Sequence, residues 1–218
     1  MSLENKMTLD VYDATAHMYL SNSKIHDEMD IEKAKKKKEK LQSFIQNFLK
    51  GFIPGARVLE LGSGDGSNAE YIESLGYNVT ASDIADDFIN AIKARGVNTI
   101  KLNVLEDTIP NKYSAVFCWR VFVHFTEEDV LQTLKKIYSA LEDNGVFVFN
   151  VINRECKEVD EEWVDFEGEY HIGMERYYHY FSDETINKLV NKTGFYIESM
   201  RTEGGKEGKK WLVYVLRK

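Results

Sequence analysis

The chain has 218 residues, of which 43% are hydrophobic and 29% are charged, and its formal net charge is −8. This length and composition are typical of one globular domain with a substantial core. The negative charge argues against non-specific nucleic-acid binding over the whole surface. No apolar run approaches the ~18 residues of a membrane-spanning helix, and no secretory signal is visible at the start. We therefore expect no membrane partner.

Cysteine usage indicates the compartment. The chain has two cysteines, Cys118 and Cys156, and neither has a C-x-x-C partner. This spacing indicates neither a disulfide framework nor a zinc site, so we predict no bound metal. Such sparse thiols are typical of a reducing compartment, and the sequence therefore predicts a cytoplasmic protein.

Two features precede the first predicted strand. Residues 1–30 are mixed in character and predict short helices or an ordered arm. From Asp30 to Leu49 apolar residues recur at helical spacing, which predicts a helix with one buried face. This helix carries the run Lys35–Lys38, which is either a solvated face or a local contact for nucleic acid.

The most informative stretch is Val58–Ser67, in which an apolar strand runs into glycines at positions 62, 64 and 66. Such an apolar run is typical of a central parallel strand covered on both faces. Glycine adopts backbone angles closed to other residues and lets a ligand approach the main chain. The helix that follows ends at Gly76, and its N-terminus favours a negative or polar ligand group. Without a ligand, the same pattern describes an ordinary strand-to-helix turn.

Strands and helices continue to alternate along the chain. Strands are predicted at Tyr77–Ala81, Asn98–Asn103, Tyr113–Cys118 and Val146–Ile152. Amphipathic helices separate them, as in a parallel sheet with helices on both faces. Two last strands, at residues 195–202 and 210–217, are joined by a short glycine-rich loop and form an antiparallel pair.

Asp83 follows the second strand. It lies close to the ~20 residues beyond the glycines at which doubly wound folds place an acid that binds ribose hydroxyls. A carboxylate accepts charge-assisted hydrogen bonds from such hydroxyls. Asp83 also suits the N-cap of the next helix, so both roles stay open.

The glycine pattern separates two cofactor classes. The dinucleotide fingerprint G-x-G-x-x-G requires a third glycine at position 67, where this chain has Ser67. The observed pattern is E-x-G-x-G-x-G, with Glu60 two residues before Gly62. It resembles the first motif of class I S-adenosylmethionine-dependent methyltransferases. Asp83, the segment Leu102–Asp107 and the loop after Cys118 extend the resemblance.

The resemblance implies a fold, a cofactor and an activity. The fold is α/β, a doubly wound Rossmann-like sheet of seven strands in the order 3-2-1-4-5-7-6, with the last strand antiparallel and helices on both faces. Residues 1–218 form a single methyltransferase domain, with a helical segment at 1–50 and a cap insertion over the active site at 154–181. The cofactor is S-adenosyl-L-methionine, and a methyl group passes to a small-molecule acceptor.

The resemblance also implies cofactor contacts, residue by residue. They are Glu60, Gly62, Ser63, Gly64, Asp83, Ile84, Asn103, Val104, Cys118 and Trp119. Where the family often has an aspartate that binds the adenine amine, this chain has Asn103. Its side-chain carbonyl can accept the same bond or form a local turn. The next residue, Val104, offers its backbone N–H to the ring.

The acceptor side is less defined, because a sulfonium is already a good leaving group and methyl transfer mostly requires positioning. We predict substrate contacts from Tyr19, Arg120, Tyr177 and Tyr178, and candidate general bases at His124 and His171. A histidine at position 124 also suits packing beside a helix start. Trp119 and Arg120 have the alternatives of core packing and of a surface side chain. The aromatic segment Arg154–Tyr180 is either a cap or a hairpin with a structural aromatic cluster.

Other functions stay open at this point. Methylation of RNA or protein would use the Lys35–Lys38 run, and nucleic-acid binding of that kind weakens steeply with salt. A chain that binds S-adenosylmethionine without transferring the methyl group would use the same crevice. The acidic composition and the aromatic insertion favour a compact small molecule over nucleic acid.

Overall fold

Helices and strands alternate along the chain as the hydrophobic pattern predicts. The computed structural model describes residues 1–22, 28–165, 173–204 and 210–218. The α-helices are α1 (Leu3–Asn22), α2 (Glu28–Leu49), α3 (Ser67–Ser74), α4 (Asp86–Ala94), α5 (Glu127–Ala140) and α6 (Asp183–Val190). The strands are β1 (Arg57–Leu61), β2 (Asn78–Asp83), β3 (Thr99–Lys101), β4 (Tyr113–Cys118), β5 (Leu141–Asn153), β6 (Glu161–Asp165), β7 (Glu175–Phe181), β8 (Tyr196–Gly204) and β9 (Lys210–Arg217).

The strands form one mixed sheet around a parallel centre. The parallel strands lie in the order β3-β2-β1-β4-β5. β9 pairs antiparallel with β5, and β8 pairs antiparallel with β9. The predicted order of seven strands is confirmed, because β8 and β9 are the sixth and seventh strands of that prediction.

Two further strands lie in the segment that was predicted as an insertion. β7 pairs in parallel with the end of β5 at Ile152 and Asn153, and β6 pairs antiparallel with β7. The aromatic residues of β7 are strong β-formers, although charged neighbours hide the pattern in the sequence. The insertion therefore extends the sheet at the end of β5.

Apolar residues of the central strands alternate between two cores, one on each face of the sheet. Leu59 and Leu61 of β1 pack into the core beneath α5 and α6, while Val58 packs into the core beneath α2, α3 and α4. In β5, Phe147 and Val148 are likewise divided between the two faces. This division is the doubly wound arrangement, and it leaves the carboxyl ends of the parallel strands to form the crevice.

The N-terminal region is more regular than its sequence indicates. Residues 1–30 were expected to form short helices or an arm, but α1 is a continuous helix of 20 residues. It packs against β7, α4 and the 3₁₀ helix Phe122–His124. These elements follow the carboxyl ends of central strands, so α1 lies along the crevice. None of the helices in the described part of the chain combines the length and the apolarity that a bilayer crossing requires.

Candidate functional site

The glycine-rich turn has three left-handed glycines with different surroundings. The φ angles of Gly62, Gly64 and Gly66 are 66°, 54° and 77°. A Cβ at Gly62 would lie 2.4 Å from Cγ2 of Val121, and a Cβ at Gly66 would lie 3.0 Å from Cγ1 of Ile92. A Cβ at Gly64 would meet nothing within 4 Å. Gly62 and Gly66 are therefore required by packing, while Gly64 borders open space.

Asp83 joins this turn to the start of α4. Its Oδ2 accepts a hydrogen bond of 2.9 Å from Gly64 N–H, and its Oδ1 accepts from Ile84 N–H at 2.8 Å and Ala85 N–H at 3.2 Å. Burial raises the pKa of Asp83, and the three N–H groups oppose that shift by stabilising the carboxylate. Asp83 thus orders the turn before α4, whose N-cap is Ala85 and not Asp83, and ribose binding by Asp83 stays a prediction. A carboxylate has about four acceptor positions, so Oδ2 retains room for one further donor.

Ser63 fixes the register between the two strands that lead into the turn. Its N–H donates to the Ser82 carbonyl over 2.9 Å, and its Oγ accepts from Ser82 N–H over 3.2 Å. The Ser82 hydroxyl donates to the Glu60 carbonyl over 2.8 Å. The glycine turn is therefore tied to β2 at both Ser63 and Gly64.

Glu60 is a buried acid at the end of β1. Its side chain is 1% exposed, and its Oε2 has no hydrogen-bond partner among the described residues. Burial raises the pKa of Glu60 to about 8, with smaller contributions from the negative charges of Asp65 and Asp83, while Ser63 and Asn68 oppose the shift. A buried acceptor without a partner is costly. It is therefore suited to a cationic or hydrogen-bond-donating ligand group.

Asn103 and the backbone N–H of Val104 lie in the turn after β3. The Asn103 carbonyl accepts from the N–H groups of Glu106 and Asp107, and its side-chain Oδ1 accepts from Leu105 N–H over 3.1 Å. The trans peptide directs Val104 N–H away from that carbonyl. Asn103 thus forms the local turn bond considered from the sequence, and its Oδ1 keeps one acceptor position.

Lys136 of α5 holds the same turn from the other side. Its Nζ donates to the carbonyls of Val104, Leu105 and Asp107 over 2.9, 2.8 and 2.9 Å. An ammonium group has three donors, and all three are used here. The turn is therefore fixed to the helix that covers this face of the sheet.

The residues at the end of β4 have different environments. Cys118 is buried, and burial raises the pKa of its thiol. The Trp119 ring stacks on Phe117 with centroids 5.5 Å apart and contacts Phe44 of α2 at 5.8 Å. The indole thus packs in the core beneath α2, which was the alternative considered from the sequence. Cofactor contact by Trp119 stays a prediction.

Arg120 has a left-handed backbone and an exposed side chain. Its φ is 64°, which is uncommon for a residue with a Cβ. Its N–H donates over 2.7 Å to Oδ1 of Asn150, which is buried in β5. The guanidinium carbon lies 5.5 Å from the Trp211 ring centroid. Backbone strain of this kind is often found at functional sites.

His124 connects the N-terminal helix to the inserted hairpin. Its Nδ1 lies 2.7 Å from the Tyr177 carbonyl, and its Nε2 lies 2.8 Å from the Tyr12 hydroxyl. Since a carbonyl only accepts, Nδ1 carries the proton and Nε2 accepts from Tyr12. Burial lowers the pKa of His124 to about 4. The imidazole is therefore neutral at pH 7, with both nitrogens hydrogen-bonded inside the protein.

Tyr12 and Arg176 belong to this cluster and were missed from the sequence. The Arg176 guanidinium donates to Tyr12 Oη over 3.2 Å and also to the Tyr19 hydroxyl, and it lies 5.6 Å from the Tyr178 ring centroid. Tyr177 N–H donates to Thr8 Oγ1 over 3.0 Å. Three predicted contacts, Tyr19, Tyr177 and Tyr178, are thus brought together. A usable signal was the helical spacing of Thr8, Tyr12 and Tyr19, which places them on one face of α1.

The helix α1 also packs beside the Asp83 turn. Ala16 is buried against Ala85 and Phe88, the residues that follow Asp83, with Tyr12 and Leu20 beside them. The predicted acceptor residues and the predicted ribose acid therefore lie under one helix. The second candidate base, His171, lies outside the described residues.

Comparisons with known proteins agree on the family. A family model described as a methyltransferase domain matches residues 33–200. The ubiquinone biosynthesis O-methyltransferase of Rickettsia canadensis is 32% identical over 108 residues, which is 47% of this chain and 45% of that protein. The Xanthomonas campestris enzyme of the same name is 28% identical over 110 residues, again 47% of this chain and 45% of the relative. The alignment thus spans about half the length of these curated relatives.

Solved structures agree on the fold. The magnesium protoporphyrin IX methyltransferase of Synechocystis PCC 6803 with bound SAM has a TM-score of 0.73 at 13% identity, and the match covers 100% of this chain and 98% of that one. The glycopeptide N-methyltransferase MtfA, complexed with S-adenosylhomocysteine, has a TM-score of 0.63 at 15% identity and covers 81% and 89%. At these identities the likeness shows a shared fold.

The first prediction concerns the glycine turn. Alanine at Gly62 or Gly64 must adopt a positive φ, which costs about 1 kcal/mol. At Gly62 the clash with Val121 adds about 1–3 kcal/mol of overpacking. We therefore expect Gly62→Ala to lower the free energy of unfolding more than Gly64→Ala, as measured by denaturant titration. The double variant Gly62→Ala/Val121→Ala should show favourable coupling in a double-mutant cycle. Equal losses without coupling would contradict the packing role.

The second prediction concerns Glu60. Its pKa rises from 4.5 unfolded to about 8 folded, so the folded chain binds the proton more tightly between these values. The stability that this group contributes is present below pH 4.5 and is lost as pH rises toward 8. Glu60→Gln removes the titration, and we expect it to unfold at higher urea than the unsubstituted chain at pH 8, by on the order of 2 kcal/mol. The control Glu73→Gln, at an exposed position of α3, should leave the pH dependence unchanged. An unchanged dependence in Glu60→Gln would contradict the burial argument.

Proposed function

The chain belongs to the methyltransferase domain family, and on that premise we propose that it transfers a methyl group from S-adenosylmethionine to a small-molecule acceptor. The observation that carries the proposal is the hydrogen bond between Gly64 N–H and Asp83. It puts a main-chain turn that borders open space directly beside a carboxylate with a remaining acceptor position. A polar adenosyl group requires this combination of backbone access and ribose recognition.

The residues around the crevice fit the three parts of the cofactor. The unpartnered Oε2 of Glu60 is suited to the ammonium group of the methionine part. Asp83 would accept from one ribose hydroxyl, because three N–H groups already occupy its other acceptor positions. Val104 N–H and Asn103 Oδ1 would receive the adenine edge. When bound, the cofactor supplies an electrophilic methyl group on a sulfonium.

The acceptor would lie beyond the end of β4, between Arg120 and the tyrosines of β7. Transfer requires the acceptor atom about 3 Å from the methyl carbon and in line with it. Helix α1, held by Tyr12 and Thr8, covers this side and would exclude water from the reacting atoms. We propose that residues 154–181 complete this cover as a cap within one domain.

Ion pairing in and beside the Lys35–Lys38 run favours a small acceptor over RNA or protein. Within the run, Lys36 pairs with Glu32 at 2.8 Å on α2, and the neighbouring Lys40, outside the run, lies 3.7 Å from Glu203. Part of this positive charge is therefore already compensated within the chain. The two cysteines form no disulfide, which supports a cytoplasmic setting as a continuing prediction.

A binding experiment tests the cofactor assignment. Asp83→Asn keeps the size of the side chain and removes its charge, which should weaken binding of S-adenosylhomocysteine about 10–100-fold in calorimetry, the usual worth of one charge-assisted bond. The control Asp86→Asn alters an exposed carboxylate in the first turn of α4 and should leave affinity unchanged. Unchanged affinity in a folded Asp83→Asn protein would overturn the assignment.

A further inference from the structure

Arg120 differs from the other arginines of this acidic chain. Five arginines form ion pairs with carboxylates, namely Arg57, Arg95, Arg154, Arg201 and Arg217. Arg176 donates to tyrosine hydroxyls. Among the described residues the Arg120 guanidinium forms neither an ion pair nor a hydrogen bond, and its recorded contact is the face of Trp211. In a chain of net charge −8, a guanidinium without a carboxylate partner is a candidate for an external anion.

The backbone around Arg120 holds it at the acceptor side of the crevice. The residue follows β4 directly, and its left-handed φ turns the chain sharply at that point. The bond from its N–H to buried Asn150 fixes this conformation to β5. The hydroxyls of Tyr12 and Tyr178 lie within electrostatic range of its charge. A cation is thus held in place beside phenol groups, where the acceptor would bind.

Among the described residues, His124 is not available as a base for an acceptor that must lose a proton. Tyr12 and the Tyr177 carbonyl occupy the two nitrogens of the His124 imidazole. Burial lowers the pKa of His124 to about 4 and raises the pKa values of Tyr12 and Tyr178. These three groups are therefore neutral at pH 7, and none of them is matched to deprotonate a hydroxyl acceptor.

From the unpaired Arg120 and the occupied His124 we infer that the methyl acceptor is a carboxylate, which arrives already ionised and leaves as a methyl ester. The inference rests on the proposed function. A carboxylate oxygen forms the bond to the methyl carbon, the carbon–sulfur bond breaks, and its electron pair stays on sulfur. No proton moves, and one negative and one positive charge are neutralised. Such charge neutralisation is favoured where water is excluded from the reacting atoms, and Arg120 would orient the anion through its second oxygen.

The chemical stability of the product tests the inference. The unsubstituted chain is incubated with S-adenosylmethionine carrying a tritiated methyl group and with matched acceptors: benzoate, phenylacetate and hexanoate against phenol, benzyl alcohol and benzylamine. Mild base releases methanol from methyl esters and leaves methyl ethers and methylamines intact. We expect mild base to release tritiated methanol from the products of the carboxylate acceptors alone. Base-stable label would overturn the carboxylate inference and leave the proposed function standing. No transfer to any acceptor, with cofactor binding intact, would overturn both.

Variants of Arg120 add a second readout. With the carboxylate that takes the label, Arg120→Gln should raise KM at least 10-fold, while Arg120→Lys, which keeps the charge, should recover part of that loss. Affinity for S-adenosylhomocysteine should change less than 2-fold in both variants. The control Arg57→Gln, which breaks an exposed ion pair with Glu142, should leave KM unchanged. An unchanged KM in Arg120→Gln would contradict anion binding at this residue.

Discussion

The arrangement of the crevice depends on one carboxylate, that of Asp83, which accepts three backbone N–H groups from two different segments. Gly64 N–H comes from the turn after β1, while Ile84 and Ala85 N–H come from the turn before α4. Adjacent parallel strands would by themselves leave these turns independent of each other. The Asp83 side chain joins them, so the open main chain at Gly64 keeps a fixed position relative to the start of α4.

A second set of contacts closes the other side of the crevice. His124 accepts from Tyr12 and donates to the Tyr177 carbonyl, while Thr8 accepts from Tyr177 N–H. Helix α1, the 3₁₀ helix after β4 and strand β7 are thereby joined through hydrogen bonds between buried polar groups. A network of this kind gives a unique geometry, because breaking any one bond leaves a buried group without a partner. Its consequence for His124 is that both ring nitrogens are engaged in hydrogen bonds within the protein.

The hydrophobic pattern of the sequence predicts the sheet well, but it does not predict how α1 and β7 pack together beside the crevice. Strand β4 has the predicted bounds, and the order of seven strands is as predicted, because buried parallel strands produce apolar runs that are visible in the sequence. Asp83 and Gly64 were found because their spacing follows from the strand and turn lengths of the fold. Their direct hydrogen bond was not predictable, since it depends on the rotamer of Asp83.

The contacts between α1, the 3₁₀ helix and β7 were harder to predict because the residues that form them are distant in sequence. Tyr12 and His124 are 112 residues apart, and Arg176 and Tyr19 are 157 apart. No local periodicity connects such pairs. The buried face of helix α1 is defined by its packing against β7, which lies far along the chain. The ring contacts of Trp119 illustrate the same limit, because its contact with Phe44 of α2 joins residues that are distant in sequence.

The most direct test of the central claim is a crystal structure of the chain with S-adenosylhomocysteine. The account predicts a ribose hydroxyl within hydrogen-bond distance of Asp83 Oδ2, the main chain at Gly64 against the amino-acid part of the ligand, and the ammonium group at Glu60. A ligand bound away from Gly64, or one whose ribose makes no contact with Asp83, would contradict it.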